Sequence, residues 1–156
     1  HGFASHDSHF ELPVVKASKK ELLANDFAVF RAFCDAEIAM SAHVLFESID
    51  PYSPASTSKK LMDIIRNEIK FSGLLISDDI SMAALPGDIK KRTKNLIEAG
   101  NDVILHCNGK LFEMKEIIYS GVVPNTLTLS RMASVIEERK KIKHNNIKNV
   151  ESSQSS

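Results

Sequence analysis

Three apolar runs, separated by segments with helical spacing, organise the middle of the chain: EIAMSAHVLF, LLIS and DVILHC. Apolar residues occupy both alternating faces of each run, which predicts strands that are buried on both sides. We expect the first strand to end near His43, the second at Asp78 and Asp79, and the third at His106.

The segments around these runs have the spacing of amphipathic helices. A Ser-x-x-Glu capping box opens a helix predicted over 19–33. The segments SKKLMDIIRNEIKF and IKKRTKNLIEAG predict the helices that connect the strands, and Gly100 closes the second of them. Two further helices are predicted over about 111–119 and 130–143.

Apolar strands that alternate with helices indicate an α/β fold, in which helices cover a parallel sheet. Three strands are too few for a complete (β/α)8 barrel, which takes at least about 200 residues. The sheet is therefore either a small open one or part of a barrel. With 156 residues and 43% hydrophobic composition, we expect one domain over 1–143, followed by a polar, disordered tail over 144–156.

Composition narrows the classes of partner. Twenty basic residues balance twenty acidic ones, so we expect a small-molecule or protein partner and neither nucleic acid nor a membrane surface. No run approaches the ~20 apolar residues that span a bilayer. Cys34 and Cys107 lie far apart and outside C-x-x-C spacing, which favours a reducing compartment and a cytoplasmic location. Because the first residue is histidine, we also expect the chain to be a fragment.

Polar side chains collect at the predicted strand ends. The carboxyl ends of parallel strands meet at one mouth, which would bring His43, the two aspartates and His106 to the same side of the sheet. Strict alternation puts Asp78 on the face of Ile76 and Asp79 on the opposite face, so the two carboxylates would have different roles. A simpler alternative for Asp79 is that it caps the turn or helix that follows.

The opening stretch, HGFASHDSH, holds three histidines and an aspartate. In its Asp-x-His spacing, the carboxylate of Asp7 can accept the Nδ1 proton of His9 and leave Nε2 to exchange a proton with substrate. A solvated polar loop is the alternative. A metal hydrolase that uses His1, His6, Asp7 and His9 is a further hypothesis.

Five motifs, in their order and spacing, resemble the β-N-acetylglucosaminidases of glycoside hydrolase family 3: HGFASHDSH, ELPVV, MSAHV, GLLISDDISM and AGNDVILHCN. The resemblance covers roughly Gly2 to Lys140. It implies a (β/α)8-like TIM barrel, of which this chain would be the C-terminal half. It also implies hydrolysis of terminal β-linked N-acetylglucosamine with retention, through a covalent glycosyl-enzyme and without a metal or other cofactor. The substrates implied are cell-wall muropeptides recycled in a bacterial cytoplasm.

The resemblance also implies roles for single residues. Asp78 matches the nucleophile, and His9 matches a histidine that acts as acid/base in place of the usual second carboxylate. Asp7 would orient His9 and stabilise its charged form. His1 matches the last histidine of the family's KHFPGHG motif, and His43 matches a histidine near the pocket floor, so both are candidates for substrate binding. For His43, a buried histidine with satisfied ring nitrogens is an equal alternative.

The chain departs from the family in lacking the Lys-His pair before His1 and the rest of the N-terminal barrel half. That half would supply most contacts to the sugar hydroxyls, in cis or in trans. His6 falls where the family varies, and His106 is expected to pack rather than to react. Two hypotheses follow: part of a working exo-β-N-acetylglucosaminidase, or a non-catalytic remnant that needs a partner half to fold.

Overall fold

The structure is a computed structural model that describes Asp7 and residues 10–153, with side chains described as far as residue 141. These residues form two compact units that divide between Val123 and Pro124. The first unit contains the sheet and the candidate site. The second contains one long helix.

The strands are short and parallel, and they form two sheets, one of two strands and one of three. The strands are β1 (Val14–Val15), β2 (Ile38–Ser41), β3 (Leu45–Phe46), β4 (Leu74–Asp79) and β5 (Val103–Leu105). β1 pairs with β3, and β2, β4 and β5 pair in that order. A doubly wound sheet reverses its order at a switch point, whereas a barrel adds each new strand beside the last. β2 and β3 lie on one stretch, 38–46, which pairs with β1 through β3 and with β4 through β2, so the pairing follows the order of the chain, as in an arc of a barrel.

Helices alternate with these strands and complete the α/β fold that the sequence predicts. They are α1 (Lys19–Ala24), α2 (Asp26–Arg31), α3 (Lys59–Asp63), α4 (Ile89–Ala99), α5 (Leu111–Ile118) and α6 (Thr126–Ser153). A 3₁₀ turn (Ala55–Thr57) precedes α3, and a π-helical turn (Ile64–Glu68) extends it. No helix within the described residues is both long enough and apolar enough to cross a bilayer.

Two predicted elements of the first unit are divided in the structure. The single helix predicted over 19–33 is divided at Asn25, whose side chain and backbone N–H both donate to the carbonyl of Glu21. The backbone bond belongs to the helical ladder, and the bond from the side chain competes with it. The long first strand is divided between β2 and β3, because Ser41 still pairs with β4 while Leu45 already pairs with β1.

Helix α6 begins before residue 130 and continues into the polar segment from 144, where the sequence predicted no order. The ion pairs Glu137–Lys140 and Glu138–Lys141 support the part of the helix before this segment. The division into a barrel domain over 1–143 and a tail over 144–156 stays a prediction.

Two apolar clusters pack the first unit. The larger includes Leu22, Phe27 and Leu75 and joins the sheet to helices α1 to α3. The smaller consists of Ile80, Leu85 and Leu96, all buried, and it lies where the chain leaves β4. It fixes the segment that directly follows the two aspartates.

Candidate active site

The two aspartates lie at the carboxyl end of β4, on a β-bulge. Ile76 pairs with Val103 and Asp79 pairs with Leu105, so β4 advances by three residues while β5 advances by two. A bulge of this kind inserts one unpaired residue and re-aims side chains. Strict alternation of side chains therefore does not extend from Ile76 to Asp78 and Asp79. The prediction that the two aspartates face opposite sides of the sheet depended on that alternation, so it no longer follows.

The buried side chain of Ser77 holds the bulge together. Its Oγ donates to the carbonyl of Asp78 at 2.8 Å and accepts the N–H of Leu105 at 3.2 Å. The hydroxyl thus takes a place in the ladder that a backbone carbonyl would otherwise fill. Bulged backbone groups that would be left unpaired are satisfied in this way.

The carboxylate of Asp79 is engaged by backbone amides. Its Oδ1 accepts the N–H of Ser81 at 3.1 Å and the N–H of Cys107 at 3.2 Å. The first bond closes the turn after β4, and the second ties that turn to the end of β5. This geometry agrees with the alternative in which Asp79 is a capping residue.

Asp78 is partly exposed at the same strand end. Its Oδ1 accepts the N–H of Asp79 at 2.8 Å, a bond that fixes the direction of the carboxylate relative to the backbone. A solvent-accessible carboxylate held in this way can act as a nucleophile or can stabilise a positive charge.

His43 is fully buried between β2 and β3, and protein atoms engage both of its ring nitrogens. Nε2 lies 3.0 Å from the carbonyl oxygen of Asp79, and Nδ1 lies 2.7 Å from Oγ of Ser56. A carbonyl only accepts, so Nε2 carries the proton and Nδ1 accepts the hydroxyl of Ser56. In place of the substrate contact that the resemblance implies, His43 is a satisfied buried histidine, because neither nitrogen is available to a sugar.

The environment of His43 keeps its ring neutral. Burial lowers the pKa of the imidazole, an effect that the charge of Arg92 reinforces. The bond to the Asp79 carbonyl and the negative charges of Asp78 and Asp79 oppose the shift without reversing it.

Glu113, on α5, is a carboxylate that sequence reasoning did not find. Its Oε2 accepts from Asn108 Nδ2 at 2.8 Å, from Ser81 Oγ at 3.0 Å and from His106 Nε2 at 3.1 Å. These bonds, the one from Asn108 first, lower the pKa of Glu113 from 4.5 to about 2. Glu113 is therefore ionised at neutral pH, and it holds His106 in a packed position beside the mouth.

Arg92, on α4, also carries no sequence motif that marks it. Its Nη1 donates to the carbonyls of Ile80 and Met82 at 2.9 and 3.1 Å, and its Nε donates to that of Gly87 at 2.9 Å. One guanidinium thus fixes the whole loop between β4 and α4.

The N-terminal candidates are described only in part. Asp7 is exposed, and its carbonyl accepts the N–H groups of Phe10 and Glu11. His1, His6 and His9 lie outside the described residues, so the pairing of His9 with Asp78 stays a prediction. Within the described residues, no three His, Cys, Asp or Glu side chains are grouped so that they could hold a metal ion.

Parallel strands that alternate with helices, one of them ending in two carboxylates, define part of a (β/α) barrel whose mouth carries the candidate site. Comparison with known proteins identifies the family. Residues 1–140 match the model described as the N-terminal domain of glycosyl hydrolase family 3, and the chain belongs to this family.

Relatives and solved structures agree with that assignment. The chain is 39% identical over 113 residues to a beta-hexosaminidase of Aromatoleum aromaticum, a match that covers 69% of the chain and 32% of the relative. It resembles NagZ from Neisseria gonorrhoeae in complex with N-trifluoroacetyl-D-glucosamine, with a TM-score of 0.72 and 34% identity over 85% of the chain and 39% of that structure. The β-N-acetylglucosaminidase of Paenibacillus sp. FPU-7 shares the fold, with a TM-score of 0.80 and 24% identity over 88% of the chain and 29% of that structure.

These matches confirm the predicted α/β class and its barrel-like arrangement. The chain spans about a third of the length of the relatives that it matches.

Proposed function

We propose that the chain is the part of a retaining exo-β-N-acetylglucosaminidase that carries the nucleophile, Asp78, and the acid/base pair, His9 and Asp7. The observation that carries the proposal is the contrast at the end of β4. Both aspartates are partly exposed, but Asp79 Oδ1 is engaged by the backbone amides of Ser81 and Cys107, while the carboxylate of Asp78 accepts one amide, that of Asp79. The motifs shared with family 3 enzymes and the beta-hexosaminidase relatives support it.

The proposed reaction has two displacements. In the first, a carboxylate oxygen of Asp78 attacks the anomeric carbon while the bond to the aglycone oxygen breaks and that oxygen takes a proton from His9. In the second, water gives a proton to His9, attacks the same carbon and releases Asp78. The carboxylate of Asp7 stabilises the protonated imidazole that is present before the first displacement and again after the second.

The proposed substrates are muropeptides that end in β-linked N-acetylglucosamine, recycled in a bacterial cytoplasm. This part rests on the resemblance to the bacterial enzymes. No cofactor enters the proposed chemistry, since the carboxylate and the imidazole supply the nucleophile and the proton carrier.

Exposed apolar surface favours a further part of the proposal, that the remaining barrel strands cover this arc. Phe30, Phe33 and Met40 are each more than half exposed and line an apolar cavity of about 590 Å³. Within the described residues, β1 and β5 each have a neighbour on one side only. Surfaces and edges of this kind need a partner. The alternative function, a non-catalytic half-barrel module that needs a partner half, rests on the same observation.

The experiment that separates these functions is covalent trapping in a protein in which the barrel is complete. A fluorinated N-acetylglucosaminyl donor with an activated leaving group slows the second displacement, so the glycosyl-enzyme accumulates and peptide mass spectrometry finds the labelled residue. We expect the label on Asp78. A label on another residue would refute the assigned nucleophile, and the absence of any label would favour the non-catalytic module.

The role of His9 has its own signature. In His9→Ala, turnover of substrates with poor leaving groups should fall by about 10²–10⁴-fold, while an acidic phenol, which needs little protonation, should be affected least in the first step. The glycosyl-enzyme should then accumulate, because activation of water is slow. Asp7→Ala should resemble a weaker His9→Ala. Equal losses on all leaving groups, with no trapped intermediate, would make His9 a structural loop residue.

A further inference from the structure

The peptide that follows the bulge is held by a side chain from a neighbouring strand segment. His43 donates from Nε2 to the carbonyl oxygen of Asp79, which belongs to the peptide group that links Asp79 to Ile80. This bond adds to those of Ser77 and of the Asp79 carboxylate. Together they fix a stretch of backbone in which ordinary ladder pairing is interrupted.

A buried polar network holds the imidazole in turn. Ser56 bonds Nδ1 through its hydroxyl, and its own carbonyl accepts Nδ2 of Asn101 at 2.7 Å. Asn101 also donates to the carbonyl of Leu96 and accepts the hydroxyl of Ser41 at 2.6 Å. Within the described residues, no buried side-chain polar atom lacks a partner. A fully satisfied buried network is rigid, and it gives the ring one tautomer and one orientation.

The direction of the Asp78 carboxylate depends on this backbone. Asp78 Oδ1 is bonded to the N–H of Asp79, so rotation of the backbone at Asp79 would carry the carboxylate with it. The bond from His43 to the carbonyl of the same residue, Asp79, opposes that rotation. His43 lies below the surface and acts only through backbone atoms.

We propose that His43 is a positioning residue, which holds the bulge at Asp79 so that the carboxylate of Asp78 points into the mouth of the barrel. The proposal rests on the proposed function, in which Asp78 is the reacting carboxylate. Displacement of a reacting group by about 1 Å can cost about 10²-fold in rate. Loss of the His43 bond should therefore lower kcat and leave the binding of substrate largely unchanged.

Two amide substitutions form a matched pair for the test. The amide nitrogen of glutamine reaches about as far as Nε2 of histidine and can donate to the carbonyl of Asp79. The amide nitrogen of asparagine reaches only about as far as Nδ1. In an enzyme with a complete barrel, His43→Asn should lower kcat for a nitrophenyl N-acetyl-β-glucosaminide by about 10- to 100-fold. The KM should stay within about threefold, and His43→Gln should recover most of the rate.

Ser56→Ala offers a second, milder variant. It removes the hydroxyl that sets the tautomer of His43 and leaves the ring in place. We expect kcat to fall about fivefold, the equivalent of one neutral hydrogen bond, with KM unchanged. If His43 only packs, the loss of activity in each of the three variants should follow its loss of melting temperature. His43→Gln and His43→Asn would then differ in activity only as far as they differ in melting temperature.

A measurement without substrate tests the same bond. Hydrogen exchange of the Ser81 and Cys107 amides, which donate to Asp79, should be faster in His43→Asn than in His43→Gln, while exchange elsewhere in the sheet stays equal. Equal exchange at these two amides in both variants would overturn the proposal.

The controls separate this inference from the proposed function. If Asp78→Ala keeps full activity, the assigned nucleophile is wrong. If Asp78→Ala is inactive and both His43 variants match the unsubstituted enzyme, only the positioning role is wrong.

Discussion

The two ends of β4 differ in how they satisfy their polar groups. At the amino end the pairing with β2 is regular, from Ile38 with Leu74 onward. A buried ion pair between Arg66 and Asp102 closes this end, with side chains 18% and 3% exposed. At the carboxyl end the register slips and two carboxylates lie partly exposed. In barrels of this kind the amino end serves stability and the carboxyl end carries chemistry.

The amino end is held by charges that bind the backbone. Arg66 Nη1 donates to the carbonyls of Phe71 and Gly73, while Nη2 binds Asp102 Oδ2 at 2.8 Å. The same carboxylate oxygen accepts the N–H of Leu75 at 2.9 Å. Charges at the carboxyl end also bind the backbone, because Asp79 accepts the amides of Ser81 and Cys107 and Arg92 donates to carbonyls, whereas Asp78 accepts the one amide of its neighbour Asp79. We therefore expect Asp78 to be the residue whose removal costs activity without costing stability.

The largest expected effect is therefore on turnover at the carboxyl end. Asp78→Ala should lower kcat by more than about 10⁴-fold on every aryl N-acetylglucosaminide, because no leaving group replaces a missing covalent step. Its urea unfolding midpoint should barely change.

Asp79→Asn is the matched control, because its amide oxygen can still accept the N–H groups of Ser81 and Cys107. We expect it to keep kcat within about tenfold. The reverse order of activities, with Asp79→Asn inactive and Asp78→Ala active, would exchange the roles of the two aspartates.

The next largest effect should be on stability at the amino end. Asp102→Asn removes the charge that balances Arg66 and keeps an oxygen for the N–H of Leu75. Breaking a buried ion pair costs about 3–5 kcal/mol. Because Arg66 is partly exposed and keeps its carbonyl partners, we expect about 2–3 kcal/mol in the free energy of unfolding, measured by urea denaturation.

The exposed pair of Lys19 and Glu68 is the control for this change. Its atoms lie 2.7 Å apart, but the side chains are 46% and 33% exposed. Solvent screens such pairs, so Glu68→Gln should cost less than about 1 kcal/mol. Similar costs for Asp102→Asn and Glu68→Gln would mean that the amino end is not the stability centre that the geometry indicates.

A third change addresses the close approach at the start of β4. A Cβ on Gly73 would lie 2.5 Å from the carbonyl oxygens of both Ala36 and Glu37, which are backbone atoms that cannot move aside freely. Gly73→Ala should therefore cost about 1–3 kcal/mol of unfolding free energy, by the same urea measurement. No loss of stability would show that the strands can separate here, and the regular register would then be less rigid than the bulged end.

The sequence predicts these two ends unequally, for physical reasons. The strand and its two terminal aspartates can be predicted from the local run LLISDD. The end of α4 can be predicted at Gly100, because glycine readily adopts the positive φ of 127° found there. The bulge cannot be read in this way, because it arises from the register between β4 and β5, which are distant in the chain. Arg92 and Glu113 were missed because they bind backbone carbonyls and scattered donors, which leave no spacing pattern.

The smallest expected effect concerns Glu113, near the carboxyl end of β4, and the loss of stability at acid pH. The pKa of Glu113 lies at about 2, below its ordinary value of 4.5. A carboxyl whose pKa is lowered by folding contributes stability that is complete above about pH 4.5 and is lost as the pH falls toward 2. Over this window, protonation weakens the bonds from Asn108, His106 and Ser81.

Glu113→Gln keeps an oxygen acceptor but cannot titrate, so its unfolding midpoint should fall less steeply between pH 4.5 and 2 than that of the unsubstituted protein. Circular dichroism melts across this range measure the difference. Glu137, which pairs with Lys140 and is exposed on α6, provides the control. Glu137→Gln should change the pH dependence of the unfolding midpoint less than Glu113→Gln does. Equal pH slopes for the unsubstituted protein and Glu113→Gln would mean that the loops after β4 and β5 are held together at the mouth by something other than this carboxylate.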